Sequence, residues 1–394
     1  MPPAGAWSAA VPGPSGPAAG AWNGACRRRA RAGLFSAAFP RHPSCTCRRM
    51  TDARVDDLLH LLETEDPLEV GRVRWSATRL EDRRYSLIYR VVPRAEAERV
   101  RERAGGEELV LKVYRAAQPA RRQREFDDLR RVWEALGPGA GVVRPVACWA
   151  DRGAIVTLRA RGSSLGRLVR RACRRTANRT LLAQAAALCT TAGTWLQAFQ
   201  TEGRRQVRSE RPSHLANPDD FLEYVSERLT LLPGLVPPVD RVLCRRLVAH
   251  AAAALHALPA RTWGAVTWSH SDFGPHNLLA DGNAVTVLDF ELQPQHPYFD
   301  LAYFVESLAH AAGPQAELSR VVRLERAFLA GYGGEIDPPL LALFRLRHLA
   351  CTYVSEARRR GIAQVRAIPG LLALRERLRR LPEEISPRSA SRAA

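Results

Sequence analysis

The stretch HSDFGPHNLL at residues 270–279 and the stretch VLDFELQPQHPYFD at residues 287–300 gather His270, Asp272, His276, Asn277, Asp289 and Glu291 among apolar neighbours. Two chemistries use such residues. A His and Asp cluster can hold zinc or iron, yet no second His-rich segment completes a ligand set, and His296 and His310 show no paired spacing. Phosphoryl transfer needs different parts. One carboxylate takes or orients the proton of the attacking hydroxyl, a second carboxylate and an amide oxygen hold Mg²⁺ against the phosphates, and a cation grips the nucleotide. Asp272, with Asn277 downstream and Asp289 at the end of an apolar strand, supplies base, amide and carboxylate in one hairpin.

The cation is conspicuous. Of 59 Lys and Arg residues only Lys112 is a lysine, and it lies in the apolar run LVLKVYR. A compact ammonium is not interchangeable with a planar guanidinium. Glu125, at the start of the next helical stretch, can pair with Lys112 and aim it; Asp127, Asp128 and Glu134 are alternatives on the same stretch.

These residues need a scaffold, and the chain is long enough for two ordinary domains. VDDLLHLLE reads as a short amphipathic helix with Val55, Leu58, Leu59 and Leu62 on one face. VRWSATRLEDRRYSLIYRVVP and EELVLKVYR carry strand-type alternation. REFDDLRRVWEAL follows as a helix with a stripe of Phe126, Leu129, Val132, Trp133 and Leu136, and GVVRPVACWADRGAIVTLRA gives two more strands about a turn at Asp151 to Gly153. RGSSLG punctuates the chain as a hinge, after which the periods are helical, apart from two β-like runs joined by ADGN in the hairpin that carries the cluster.

HSDFGPHN, then DFE, then PYFDLAYF resembles the aminoglycoside phosphotransferase and choline kinase superfamily, a branch of the protein-kinase-like fold, over about residues 70 to 350. The resemblance implies an α+β, two-lobed fold: a small antiparallel-sheet N-lobe that binds nucleotide (50–160) and a larger, mainly helical C-lobe that is catalytic and binds the acceptor (161–385). It implies ATP and Mg²⁺ as cofactors. Asp272 matches the catalytic base, with His270 supporting its loop. Asn277 and Asp289 match the metal ligands. Lys112 matches the phosphate-contacting lysine, with Glu125 its partner. Asp300 matches an aspartate expected to brace the catalytic loop and cap the following helix. Glu291 is expected near the water shell of the metal, and His276 is expected only to pack beside Asn277. One departure concerns the turn over the phosphates, which should fall in LEDRRYSLIYRV and has no glycine; Ser86 is its expected phosphate-facing side chain.

Residues 1–49, with seven Arg and no acid, read as a basic disordered tract, a targeting-peptide mimic, or sequence upstream of a true start at Met50; the composition break favours the last. Residues 386–394 read as a frayed tail. The net charge of +19 raises nucleic acid as a partner, but the cations are spread along the chain, so none is expected. No run reaches the roughly 20 apolar residues of a membrane span, which leaves peripheral membrane contact open. The eight cysteines form no CxxC pair and read as thiols of a reducing, cytoplasmic protein.

The expected activity is therefore a kinase transferring phosphate from ATP to a hydroxyl of a small molecule. The stretches RGSSLGRLVRRACRRTANR and CTYVSEARRRG, expected at the acceptor wall, are rich in Arg, which favours a neutral or anionic acceptor such as a sugar, glycan or phosphorylated metabolite. An aminoglycoside phosphotransferase, an atypical protein kinase and a nucleotide-binding pseudokinase are the alternatives.

Overall fold

The computed structural model describes residues 46–71, 73–94, 108–207, 217–235, 241–360 and 368–385. The chain divides into units Met1–Thr51 and Asp52–Ala394. The readings of residues 1–45 and of the tail 386–394 lie outside the described residues.

Helix α1 (Thr46–Glu65) starts well before the expected VDDLLHLLE. Its Val55, Leu58, Leu59 and Leu62 are all buried, in one cluster with Leu87, Tyr89, Val91, Leu109, Leu111, Val113 and Val156 of the sheet that follows. That sheet contains β1 (Trp75–Asp82), β2 (Ser86–Pro93), β3 (Leu109–Tyr114), β4 (Pro145–Trp149) and β5 (Ala154–Leu158). Its order is β1-β2-β3-β5-β4, antiparallel throughout. The period of two puts Leu109, Leu111 and Val113 on the face toward α1 and Val110 and Lys112 on the other. Lys112 thus faces away from α1, toward a cavity on the other side of the sheet. Helix α2 (Pro119–Leu136) joins β3 to β4 and buries Leu129 and Val132 together with Arg122, while Phe126, Trp133 and Leu136 are half-buried.

The expected hinge is a paired element. Ser163 and Ser164 form a short strand, β6, opposite Ala280 and Leu279 of β8 (Leu278–Asp281), which pairs in turn with β9 (Ala284–Val287). Gly162, at φ +100, makes this possible, because a Cβ there would lie 2.2 Å from the Ala280 carbonyl oxygen. A second seam lies at Gly141, where Val287 N–H donates to the Gly141 carbonyl at 2.8 Å.

The helical lobe packs around α8 (Tyr298–Ala312), whose Phe299, Leu301, Ala302, Phe304, Val305 and Leu308 are all buried. Helices α3 (Leu165–Ala172), α4 (Arg179–Gln206), α5 (Pro218–Leu235), α6 (Arg241–Ala257) and α7 (Ala260–Trp263) precede the catalytic hairpin. Helices α9 (Leu318–Tyr332), α10 (Pro338–Arg360) and α11 (Ile368–Ile385) follow α8. Asn178 caps α4, its Oδ1 accepting from Leu181 N–H at 2.8 Å. The architecture is the expected two-lobed α+β one, a small antiparallel sheet ahead of a mainly helical lobe. Among the described residues no helix is long and apolar enough to cross a membrane, and Cys148, Cys173, Cys189, Cys244 and Cys351 form no disulfide.

Candidate active site

The loop between β7 (Thr267–Ser269) and β8 carries Asp272 and Asn277. Phe273 anchors it from below, fully buried and stacked on Trp195 at 5.5 Å, with Phe304 at 5.4 Å. Asp300 braces it from the side. Its Oδ2 accepts the His270 N–H at 2.7 Å, and its Oδ1 accepts the Ser271 N–H and the Ser269 hydroxyl, each at 3.0 Å. Ser271 is left-handed at φ 67, a conformation costing a non-glycine residue about 1–2 kcal/mol, which these bonds offset. Asp300 lies inside the first turn of α8 and does not cap it; Pro297 is the N-cap and makes no side-chain bond. Burial pushes the Asp300 carboxyl up to about 7.

Asp272 is held at both oxygens. Oδ1 receives the Tyr303 hydroxyl in a short bond and lies 3.2 Å from His276 Nε2, while Oδ2 accepts Asn277 Nδ2 at 2.9 Å. Burial raises its pKa, but the bonds from His276 and Tyr303 prevail and hold it below the ordinary carboxylate value. Asn277 also gives its amide to the Asp272 carbonyl at 3.0 Å, which leaves its own carbonyl oxygen for a metal. His270 is wholly buried between Phe273 and Phe290. Burial lowers its pKa, so the ring is neutral and Nε2 donates to the Leu288 carbonyl at 2.8 Å, tying the loop to the residue before Asp289.

Asp289 is left-handed at φ 60 and meets the opposite lobe. Its Oδ1 is 2.7 Å from Lys112 Nζ and its Oδ2 is 3.3 Å from Arg83 Nη1. Lys112 reaches Glu125 Oε1 at 2.9 Å, and Glu125 is itself gripped by buried Arg122 at 2.7 Å and by Tyr114 in a short bond. Burial opposes charge on Lys112, but Asp289 and Glu125 outweigh it and hold the ammonium protonated above its ordinary value. Asp289 is depressed because Lys112 and then Arg83 overcome its own burial.

The structure thus brings Asp272 and Asn277 together, and Lys112, Glu125 and Asp289 together, with His270 and Asp300 supporting the loop. Glu291 points elsewhere: its exposed carboxylate pairs with Arg121 at 3.4 Å. Ser86 is buried at the start of β2 and is not among the residues lining the cleft. Sequence reasoning missed Arg83, Arg122, Tyr114 and Tyr303. Tyr303 had a signal, since it follows Asp300 by three residues and so shares its helix face. Arg83 had one too, as a cation in the glycine-free turn.

Two cavities flank this constellation. One, of about 260 Å³, is walled by Ile88, Val110, Ile155, Leu279 and Leu288 and ends at Arg83, Lys112, Glu125 and Asp289, so apolar walls lead to paired charges. The other, of about 1000 Å³, reaches Ser271, His276 and Tyr303 beside Asp272 and runs out between α3 and α10. The donor set suits Mg²⁺: one amide oxygen and one carboxylate, both hard oxygens, match an ion that keeps waters and takes substrate phosphates. Among the described residues no group of three His, Cys, Asp or Glu side chains is placed to hold a metal.

A family model described as the phosphotransferase enzyme family matches residues 88–344. Three solved structures are similar in fold. A candidate aminoglycoside phosphotransferase from Ralstonia eutropha JMP134 superposes with a TM-score of 0.55 at 15% identity, over 84% of this chain and 98% of that one. A choline kinase from Cryptosporidium parvum Iowa II gives 0.53 at 10% identity, over 84% and 95%. The GDP and kanamycin complex of APH(2")-IIia gives 0.50 at 16% identity, over 82% and 98%. No curated protein matches the chain.

Proposed function

The chain belongs to the phosphotransferase enzyme family, and on that footing we propose that it is an ATP- and Mg²⁺-dependent kinase that phosphorylates a hydroxyl of a non-cationic small molecule. The observation that carries this reading is the chain of contacts from Glu125 through Lys112 to Asp289 across the cleft, next to the triple hold on Asp272. The nucleotide base lies against the apolar walls of the smaller cavity, and Lys112, aimed by Glu125, takes the phosphates. Asn277 and Asp289 would hold Mg²⁺, which when bound would neutralise phosphate charge. Arg83 takes the place of a glycine-rich turn: its turn is closed by Arg83 N–H to the Ser86 carbonyl at 2.9 Å and by an ion pair of Asp82 with Arg115, so a side chain and not bare backbone faces the phosphates. Asp272, ionised and with both oxygens fixed, orients the acceptor hydroxyl and receives its proton as the acceptor oxygen bonds to the γ-phosphorus and the bond from that phosphorus to the bridging oxygen breaks, releasing ADP. Among the described residues, five arginines and one acid, Glu306, line the larger cavity, which speaks against a polycationic acceptor.

The test is transfer of labelled phosphate from ATP by the full chain to a panel of neutral sugars, amino sugars, glycans and sugar phosphates. Asp272→Asn should lower transfer by about 10²-fold or more while ATP binding persists. Bound nucleotide with neither transfer nor slow Mg²⁺-dependent hydrolysis would identify a pseudokinase instead. Efficient transfer to a free aminoglycoside would overturn the charge argument.

A further inference from the structure

Arg347, on α10, lines the larger cavity and differs from the other deep arginines near it. Glu306 is bracketed by Arg345 at 2.7 Å and by Arg377 in a short contact, and Arg345 also reaches Glu384 at 2.7 Å. Those charges are compensated within the protein. Arg347 has no carboxylate partner among the described residues. Its guanidinium rests on the Phe299 ring at 4.3 Å and faces Tyr224 at 5.3 Å. One nitrogen, Nη1, meets His348 Nδ1 at 3.2 Å, and the buried Nε has no hydrogen-bond partner.

We propose that the cavity binds an acceptor carrying an oxyanion, as in a phosphate ester or a carboxylate, on the same molecule as the reacting hydroxyl, and that Arg347 receives that oxyanion.

A cation drawn even partly out of water without a counter-charge is costly, and here the chain keeps a half-buried one at the wall of a cavity. An oxyanion supplies the missing charge and accepts from the planar guanidinium, which suits phosphate and carboxylate better than an ammonium does. Burial depresses the Arg347 pKa, and the like charge of Arg228 pushes the same way, so an anion would be received by a site already short of negative charge. The seat is near the chemistry. His348, adjacent to Arg347, packs edge-on against Tyr303 at 5.1 Å, and Tyr303 holds Asp272. One molecule can therefore place its anion at Arg347 and its hydroxyl at Asp272. The position of the hydroxyl rests on the kinase reading above; the anion seat does not.

The experiment has a binding arm and a turnover arm, both on the full chain. Binding of a hexose 6-phosphate, a hexuronate, the parent hexose and inorganic phosphate is measured by calorimetry for wild type, Arg347→Met, Arg347→Lys and Lys112→Ala. Arg347→Met keeps an unbranched apolar stem against Phe299 and Tyr224, and unchanged ATP binding certifies its fold. The expected result is that the anionic hexoses bind tighter than the parent, that Arg347→Met weakens them about 10- to 100-fold, that Arg347→Lys restores part of the loss, and that Lys112→Ala leaves them unchanged. A stronger response to the phosphate ester than to the hexuronate identifies phosphate as the group read. Loss of anion binding in Lys112→Ala but not in Arg347→Met would put the anion in the nucleotide cleft and overturn the proposal, as would equal binding of the parent hexose. In the turnover arm, anionic acceptors should lose their kcat/KM advantage in Arg347→Met while neutral ones keep theirs. Anion binding that depends on Arg347, with no phosphate transfer to any acceptor, would sink the kinase reading and leave the seat standing.

Discussion

Replacing Arg83 by alanine separates two roles that its contact with Asp289 could have. The pair stands at 3.3 Å with side chains 45% and 32% exposed. An ion pair so exposed is worth at most about 1 kcal/mol to the fold, so the melting temperature should move by no more than roughly 3 °C. Against a bound nucleotide the same guanidinium would donate to phosphate. A charge-assisted bond of that kind contributes about 1.5–3 kcal/mol, and solvent screening at a half-exposed site reduces this to roughly 1–1.5 kcal/mol. The KM for ATP should rise roughly five- to tenfold with kcat for a good acceptor falling less. Removal also takes a competitor from Asp289 Oδ2, leaving Lys112 on Oδ1 at 2.7 Å, so half-maximal rate should need less Mg²⁺. The assay is initial rate against ATP at fixed acceptor, repeated across Mg²⁺ concentrations, with equilibrium nucleotide binding alongside. An unchanged KM for ATP would show that Arg83 serves only as a counter-ion to Asp289, and a melting temperature lower by about 5 °C or more would show that the contact is structural.

Asn277→Ala should raise the Mg²⁺ requirement and loosen Asp272 at once, since Nδ2 holds both the Asp272 carbonyl and its Oδ2; Mn²⁺ rescue of rate without recovery of acceptor KM would separate the two, and unchanged Mg²⁺ dependence would exclude Asn277 as a ligand. Gly162→Ala forces a Cβ to within 2.2 Å of the Ala280 carbonyl at φ +100, so it should destabilise the fold by about 2–4 kcal/mol, read by denaturant unfolding; a neutral result would mean that β6 is dispensable. Burial lowers the His296 pKa from 6.5 to about 4. A histidine held neutral in the fold contributes stability above pH 6.5 that is lost as pH falls and the unfolded chain takes up its proton. Relative to His296→Phe, which keeps the stack on Phe344, the wild type should therefore lose about 3 kcal/mol between pH 6.5 and 4; parallel profiles would refute it.

Much of the site was legible because its chemistry is local. Asp272, Asn277 and Asp289 lie on one hairpin, where spacing alone fixes proximity, and Lys112 stood out as the chain's lone lysine. What escaped was set by tertiary contact. Glu125 was one of several acids on its helix, and what distinguishes it is the buried grip of Arg122, a residue that reads as one more surface arginine. Asp300 has an N-cap composition, yet its carboxylate turns to the catalytic loop because three donors converge there. RGSSLG has the composition of a flexible joint, and the pairing that stiffens it comes from β8, more than a hundred residues downstream in sequence.

That pairing bears on how a nucleotide enters. The chain segments at Gly141 and at Ser163 and Ser164 are both hydrogen-bonded to the same β8–β9 hairpin, so the back of the cleft is stitched and swinging the sheet wide would tear backbone bonds. The front is crossed by the exposed Arg83 contact and the Lys112 to Asp289 bridge. Parting the lobes at the front would break side-chain ion pairs to one carboxylate, whereas parting them at the back would break backbone hydrogen bonds.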